Sequence, residues 1–240
     1  MKTRKQKEIE HYDQAASTFN QPLANADIEG WQHLRFASYR FCQAYLKNRC
    51  HGKKLLDYGC GNGLHSIFPT QQDANVIGID LSENSLKLAR LRAQKLSLSD
   101  RIKFIKMDCE ALEFPDHSFD IIWDGGTFSS LDIKKALPEL AKTLKPDGFI
   151  LGIETLGHNP LFNFKRKINQ WRGRRTHWAV SHIFKMPDLK LAQKYFSNVQ
   201  AKFFHLTFID WLDNLLLKIP WLKKHAFKIV FVFSRPKKLS

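Results

Sequence analysis

The segment Leu55-Leu56-Asp57-Tyr58-Gly59-Cys60-Gly61-Asn62-Gly63 constrains the fold of this chain more than any other. An apolar run ends in an acidic residue, and glycines follow at alternate positions. A second apolar run, Val76-Ile77-Gly78-Ile79, closes on Asp80, seventeen residues beyond Gly63. Strand, tight glycine turn, helix, strand and terminal carboxylate describe a parallel α/β sheet that holds a nucleoside at the carboxyl ends of its strands.

The remaining sequence extends that pattern. Strands are expected at 54–58, 75–80, 102–107, 119–123 and 149–154, with helices near 62–68, 83–95 and 133–144. Ser82 can cap the helix at 83–95, and Lys145-Pro146-Asp147-Gly148 reads as a turn. Residues 5–48 read as helical, from the spacing of Ile9, Tyr12, Ala15 and Phe19 and of Leu34, Ala37, Phe41, Ala44 and Tyr45, with breaks at Pro22 and Gly30. Residues 157–183 have no clean period and read as an inserted loop or lid. A helix at 188–196, strands at 199–208 and 227–233, and an amphipathic helix at 209–224 broken at Pro220 complete the chain. The two late strands would pair antiparallel at one sheet edge. The expected organisation is a helical cap at 1–50, a nucleoside-binding core at 51–156 and a substrate region at 157–240 that completes the sheet.

A chain of 240 residues can bury a full core. Its basic N-terminus is followed by no apolar segment of the secretory kind, and no apolar run approaches the ~20 residues of a membrane span. Cys42, Cys50, Cys60 and Cys109 lack metal-ligand spacing, which points to reduced thiols in the cytoplasm and to no metal. The net charge of +15 is unevenly placed: residues 160–240 hold 17 Lys and Arg against 3 Asp and Glu, whereas the preceding residues hold 21 against 20. That asymmetry favours an acidic partner: an anionic inner membrane face, a phosphate-bearing substrate or a nucleic acid.

A glycine turn lets backbone approach a ligand that a side chain would exclude, and brings N–H groups to a helix start. A dinucleotide fingerprint would have its third glycine at 64, where this chain has Leu64. Glycine at 63 instead favours a compact nucleoside with an amino-acid tail over a pyrophosphate. Asp80 can accept hydrogen bonds from both ribose hydroxyls. Asp108 can take an exocyclic amine, and the N–H that follows it suits a ring nitrogen.

With Asp57 to Gly63, Gly78-Ile-Asp80-Leu-Ser82, Asp108-Cys-Glu110, Phe114-Pro-Asp-His-Ser-Phe-Asp120 and Leu144-Lys-Pro-Asp-Gly148, the chain resembles the class I S-adenosylmethionine (SAM)-dependent methyltransferases from about Tyr12 to Glu154. The resemblance implies an α/β, Rossmann-like seven-stranded sheet in the order 3-2-1-4-5-7-6, strand seven antiparallel, with helices on both faces. It implies SAM as cofactor, its methionine end near Asp57, Gly59, Cys60, Gly61, Asn62 and Gly63. The ribose would lie at Asp80 and Leu81, and adenine at Asp108 and Cys109. Tyr12 would close over the methionine tail, and Asp124 would meet the SAM amine or the acceptor.

Many similar small-molecule enzymes carry a histidine after strand four. Here that loop holds Ser129 and Ser130, so the candidate proton acceptors are Asp124, Glu154 and His158. Residues 123–131 also lack the (Asp/Asn)-Pro-Pro-aromatic run of enzymes that methylate nucleic-acid bases or glutamine, which lowers the nucleic-acid reading. The region from Glu154 onward resembles, more loosely, bacterial methyltransferases acting on lipid, glycolipid or quinone-type acceptors. Arg172, Arg174, Arg175 and His182 are the candidate acceptor contacts. The expected function is methyl transfer to a small hydrophobic or lipid-linked acceptor, most readily at oxygen. The alternatives are an RNA or protein methyltransferase docking through the basic tail, and an enzyme that uses SAM for another transfer.

Overall fold

The computed structural model describes residues 2–17, 36–207 and 209–238. Its elements, in chain order, are α1 (Arg4–Ser17), α2 (Ala37–Lys47), β1 (Lys54–Tyr58), α3 (Ile67–Gln71), β2 (Asn75–Asp80), α4 (Glu83–Lys95), β3 (Ile102–Lys106) and β4 (Phe119–Asp124), followed by a 3₁₀ turn at Phe128–Ser130. Then come α5 (Ile133–Thr143), β5 (Leu144–Thr155), α6 (Pro160–Trp171), α7 (His177–Ser181), α8 (Met186–Tyr195), β6 (Phe196–Phe204), α9 (Asp210–Leu216), α10 (Pro220–Lys223) and β7 (Lys228–Pro236). The expected helical positions Phe19 and Leu34, and the expected breaks at Pro22 and Gly30, lie outside the described residues.

The strands form one sheet in the order β3-β2-β1-β4-β5-β7-β6, as expected. β1 to β5 are parallel, and β7 runs antiparallel between β5 and β6. Because helices cover both faces, the inner strands are apolar on both sides. Leu56, Ile122 and Phe231 point into one core and Leu55, Ile121 and Val230 into the other. Local chemistry sets the helix starts. The Ser82 hydroxyl accepts the Ser85 N–H at 3.1 Å, Asp132 accepts the Lys134 N–H at 3.1 Å, and Asn159 accepts the Leu161 N–H at 3.0 Å.

Four boundaries depart from expectation. The helix expected at 62–68 begins only at Ile67, because the glycine turn continues as irregular backbone through His65. The turn at 145–148 lies within β5: Leu144 faces Phe119 and Phe149 faces Ile121, so these residues loop out between two paired positions. Residues 157–183 contain α6 and α7 rather than a plain loop. Asn159 and Pro160 supply a cap and a first-turn proline, and Leu161, Phe164, Ile168 and Trp171 recur at helical spacing. The late strands are displaced: β6 starts at Phe196, where the Lys194-Tyr195 end of α8 passes directly into it, and β7 extends to Pro236.

One close approach controls the β5–β7 seam. Gly152 faces Phe231, and a Cβ at Gly152 would lie 2.1 Å from that ring. The ring cannot retreat, because it stacks on Phe128 at 5.6 Å and Phe184 at 5.3 Å. Gly152→Ala is therefore expected to cost about 1–3 kcal/mol of unfolding free energy by urea titration.

Candidate active site

The carboxyl ends of β1 to β4 open into a cleft with a cavity volume of about 200 Å³, roofed by α1. Gly59 and Gly61 adopt left-handed φ of +69° and +51°. A Cβ at Gly59 would collide with Thr127 at 2.3 Å, whereas one at Gly61 would meet nothing within 4 Å and would project into open space. Asp80 closes β2 on the cleft wall. Its carboxylate accepts the Gly61 N–H at 2.9 Å and the Ser82 N–H at 2.8 Å, which ties the glycine turn to the end of the next strand. Burial raises the Asp80 pKa, and the Ser82 and Gly61 N–H groups oppose that shift.

Asp108 lies across the cleft beyond β3. One of its oxygens accepts the Glu110 N–H at 2.9 Å and the other takes the Lys5 ammonium. Lys5 also reaches Glu110 at 3.2 Å, and Arg4 pairs with Glu110 at 2.5 Å. Burial acts to raise the Glu110 pKa, but Arg4, the Asp132 N–H and Lys5 together pull it below its ordinary value. Arg4 also lies over the Trp178 ring, 4.6 Å from its centroid. Two cations of α1 thus fasten the roof to the acidic end of the cleft.

The next turns of α1 carry Glu8 and Tyr12, both on the cleft wall. Glu8 is 7% exposed, and its Oε2 is buried with no hydrogen-bond partner among the described residues. The Tyr12 hydroxyl is 2.9 Å from Ser130 Oγ. Asp13, one residue on, accepts the Ser82 hydroxyl at 2.6 Å and anchors the helix to the start of α4.

Of the sequence-selected residues, Tyr12, Gly59, Gly61, Asp80, Leu81, Asp108 and Cys109 come together on the cleft wall. The others lie outside it. Asp57 is buried beneath the glycine turn, where the Ser66 hydroxyl donates to it at 2.5 Å. Cys60 is buried, Asn62 accepts Arg92 through its carbonyl, and Gly63 lets Ala89 of α4 approach the turn.

Asp124 and Glu154 are buried behind the 3₁₀ turn. Asp124 accepts the Thr127 N–H at 2.9 Å, and Glu154 accepts the Phe128 N–H at 2.7 Å. Burial drives both pKa values up, and for Asp124 the neighbouring Glu154 adds to the shift. Their observed contacts hold the loop after β4. His158 accepts the Met186 N–H at 3.0 Å and packs at the foot of α8. Arg172 and Arg174 are exposed beyond the end of α6, and His182 stacks on Trp178 at 3.5 Å. Arg175 is half-buried with no hydrogen bond or ion pair among the described residues. Its charge opposes the burial-driven rise in pKa of both Tyr12 and Glu154.

Sequence reasoning missed Arg4, Lys5, Glu8 and Thr127. The basic run at the N-terminus was visible, and Glu8 stands four residues before Tyr12, hence on the same helical face. Their meeting with Asp108 and Ser130 depends on tertiary packing.

Residues 56–152 match the family model described as a methyltransferase domain. A 27-O-demethylrifamycin SV methyltransferase from Amycolatopsis mediterranei is 37% identical over 99 residues, 40% of this chain and 36% of that protein. A demethylmenaquinone methyltransferase from Clavibacter sepedonicus is 35% identical over 141 residues, 58% of this chain and 54% of that protein. The chain therefore spans about a third to a half of the length of these relatives. Across nearly the whole chain, the fold is similar to a geranyl diphosphate C-methyltransferase from Streptomyces coelicolor solved with Mg²⁺, geranyl diphosphate and S-adenosylhomocysteine. The TM-score is 0.65 at 14% identity, covering 98% of each chain.

Asp57 gives a pH test. Burial pushes its carboxyl from 3.8 up to about 7, the nearby Asp80 charge adds to the shift, and the Ser66 hydroxyl opposes it. Between those values the unfolded chain has lost a proton that the folded chain keeps, so this group's contribution to stability falls as pH rises. The unfolding free energy should decline from about pH 4 to about pH 7, with a shallower decline in Asp57→Asn. Equal slopes in urea titrations across that range would contradict the assignment.

Proposed function

We propose that this chain is a class I S-adenosylmethionine-dependent methyltransferase, and that it methylates a hydroxyl on a small hydrophobic or lipid-linked acceptor. The reading rests on one arrangement: two carboxylates, Asp80 and Asp108, at the ends of neighbouring strands beside a turn whose Gly61 leaves open space where a side chain would project. That arrangement fits an adenosyl group with an amino-acid tail. The relatives act on small molecules by name and do not favour the RNA or protein alternative.

In this reading Asp80 takes the ribose hydroxyls; both its oxygens already accept a backbone N–H, and each retains a lone pair. Asp108 and the backbone of Cys109 take adenine, and the Gly59–Gly63 turn faces the methionine tail. Tyr12 covers that tail, held in place by Ser130. Asp57 and Asp124 support the site from beneath, through the glycine turn and the loop after β4. When bound, SAM supplies a methyl group already activated on a sulfonium, so the chain's work is to hold the acceptor in line and to remove one proton.

Glu8 is the proton acceptor best suited to that step. The other wall carboxylates, Asp80 and Asp108, have every oxygen engaged, whereas Glu8 keeps a buried oxygen without a partner. Its position on α1 lets it reach an acceptor hydroxyl only when the roof is closed. The half-buried Arg175, whose charge acts on Tyr12 and Glu154, can receive an anionic group on the acceptor, with Arg172, Arg174 and His182 further out on the same segment. An acceptor drawn from the inner membrane face is compatible with these groups.

Two substitutions separate binding from chemistry. Asp80→Ala should weaken S-adenosylhomocysteine binding by about 1.5–3 kcal/mol in calorimetry, since charge-assisted hydrogen bonds are lost. Glu8→Gln should leave that affinity unchanged and lower kcat about 100-fold in a labelled-methyl transfer assay on a lipid extract. An unchanged kcat in Glu8→Gln would remove Glu8 from the proton step, and unchanged affinity in Asp80→Ala would remove the ribose assignment.

A further inference from the structure

We propose that α6 and the α9–α10 segment together form a docking surface for an anionic phospholipid bilayer, which holds the mouth of the cleft against the membrane. The role given to docking rests on the reading of a hydrophobic or lipid-linked acceptor; the docking itself rests on a separate surface.

The apolar exposure is concentrated there. On α6, Leu161, Phe164 and Trp171 are 79%, 67% and 86% exposed, and they project from one stripe of the helix. On the second segment, Trp211, Leu215 and Trp221 are 70%, 58% and 65% exposed. Side chains of this size belong in a core unless something else covers them, and contiguous exposed patches of this kind mark interaction sites. None of the described helices is long and apolar enough to cross a membrane, so the surface would lie in the interface plane.

The topology brings the roots of the two segments together. β7 begins at Lys228, which pairs with Thr155 at the end of β5 and with Phe204 at the end of β6. The segment that leaves β5 and the segment that enters β7 therefore start from the same end of the sheet, the end at which the cleft opens. Contacts join them: Asn159 at the head of α6 donates to the His225 carbonyl at 2.8 Å, and the Phe162 and Phe227 rings lie 4.4 Å apart.

The charge selects the occupant. Lys165, Lys167, Arg172 and Arg174 flank the first stripe, and Lys218, Lys223 and Lys224 the second. The chain from 160 onward carries 17 basic against 3 acidic residues. A second copy meeting this face would set lysine against lysine. A single-stranded nucleic acid would use the tryptophans but leave Leu161 and Leu215 in water. Aromatic and aliphatic side chains ringed by lysines suit a bilayer interface with anionic headgroups, where the rings sit at headgroup depth and the ammonium groups meet phosphate.

The test is co-sedimentation of the full chain with phosphatidylcholine vesicles prepared with and without phosphatidylglycerol. Three proteins are compared: the wild type, Trp171→Ser/Trp211→Ser/Trp221→Ser, and Lys218→Glu/Lys223→Glu/Lys224→Glu. The wild type should bind the anionic vesicles, with a blue shift of tryptophan fluorescence, and bind neutral vesicles about tenfold more weakly. Each triple variant should lose about 100-fold or more in affinity for the anionic vesicles. S-adenosylhomocysteine affinity, measured in parallel, should be the same in all three and reports both folding and the cofactor reading. No binding of the wild type to anionic vesicles, or equal binding by the tryptophan variant, overturns the proposal. So does a wild-type dimer in sedimentation velocity that the tryptophan variant lacks, without vesicle binding. If vesicles bind and S-adenosylhomocysteine does not, the cofactor reading fails and the docking surface stands.

Discussion

The structure depends on how it manages a crowd of carboxylates at one end of its sheet. Asp57, Asp80, Asp124 and Glu154 all close parallel strands at the same end, and Asp108 follows β3 there. Like charges gathered in a low-dielectric rim disfavour ionisation, and burial raises the pKa of Asp57, Asp80, Asp124 and Glu154 alike. The fold answers in two ways. Backbone N–H groups from the glycine turn and the loop after β4 bond Asp80, Glu154 and one oxygen of Asp124, whose other oxygen is buried with no hydrogen-bond partner among the described residues. Lys5 and Arg4, brought by α1, neutralise Asp108 and Glu110. The cleft wall itself carries Glu8, Asp80 and Asp108 against Arg4 and Lys5, a balance that accepts a cationic ligand, and a sulfonium with a primary ammonium is one.

The roof follows from the same constraint. α1 contributes little apolar burial; Ala16 and Glu8 are its buried residues. What holds it is charge and hydrogen bonding: Arg4 and Lys5 at one end, Tyr12 to Ser130 in the middle, Asp13 to Ser82 beyond. A helix held by polar contacts over a ligand site can open at modest cost, whereas one buried in the core cannot. That property suits an enzyme that must admit a nucleoside and then exclude water.

Much of this was legible in the sequence because it is local. The Asp57-to-Gly63 turn and the strand ending in Asp80 are short-range patterns, and β1, β2 and α4 have the bounds that the pattern implied. The order of the sheet came with the family resemblance. Less legible was whatever depends on distant pairing. Asp124 and Glu154 look like open strand ends in the sequence, but the 3₁₀ turn at Phe128 folds over them and takes up one oxygen of each. Lys5 and Glu8 read as ordinary polar helix residues until α1 is laid across the cleft. The helix α6 escaped notice because its apolar stripe faces outward among basic residues, which blurs the periodicity a core-facing helix would show.

The central claim is that the cleft under α1 is the seat of an adenosyl sulfonium, with sugar and base on separate carboxylates. A crystal structure of the chain with S-adenosylhomocysteine tests it most directly. The account expects the ribose hydroxyls on Asp80, the adenine amine facing Asp108, and the amino-acid tail along Gly59 to Gly63 beneath Tyr12. A nucleoside bound elsewhere on the molecule, or in the cleft with neither carboxylate within hydrogen-bond reach, would contradict it.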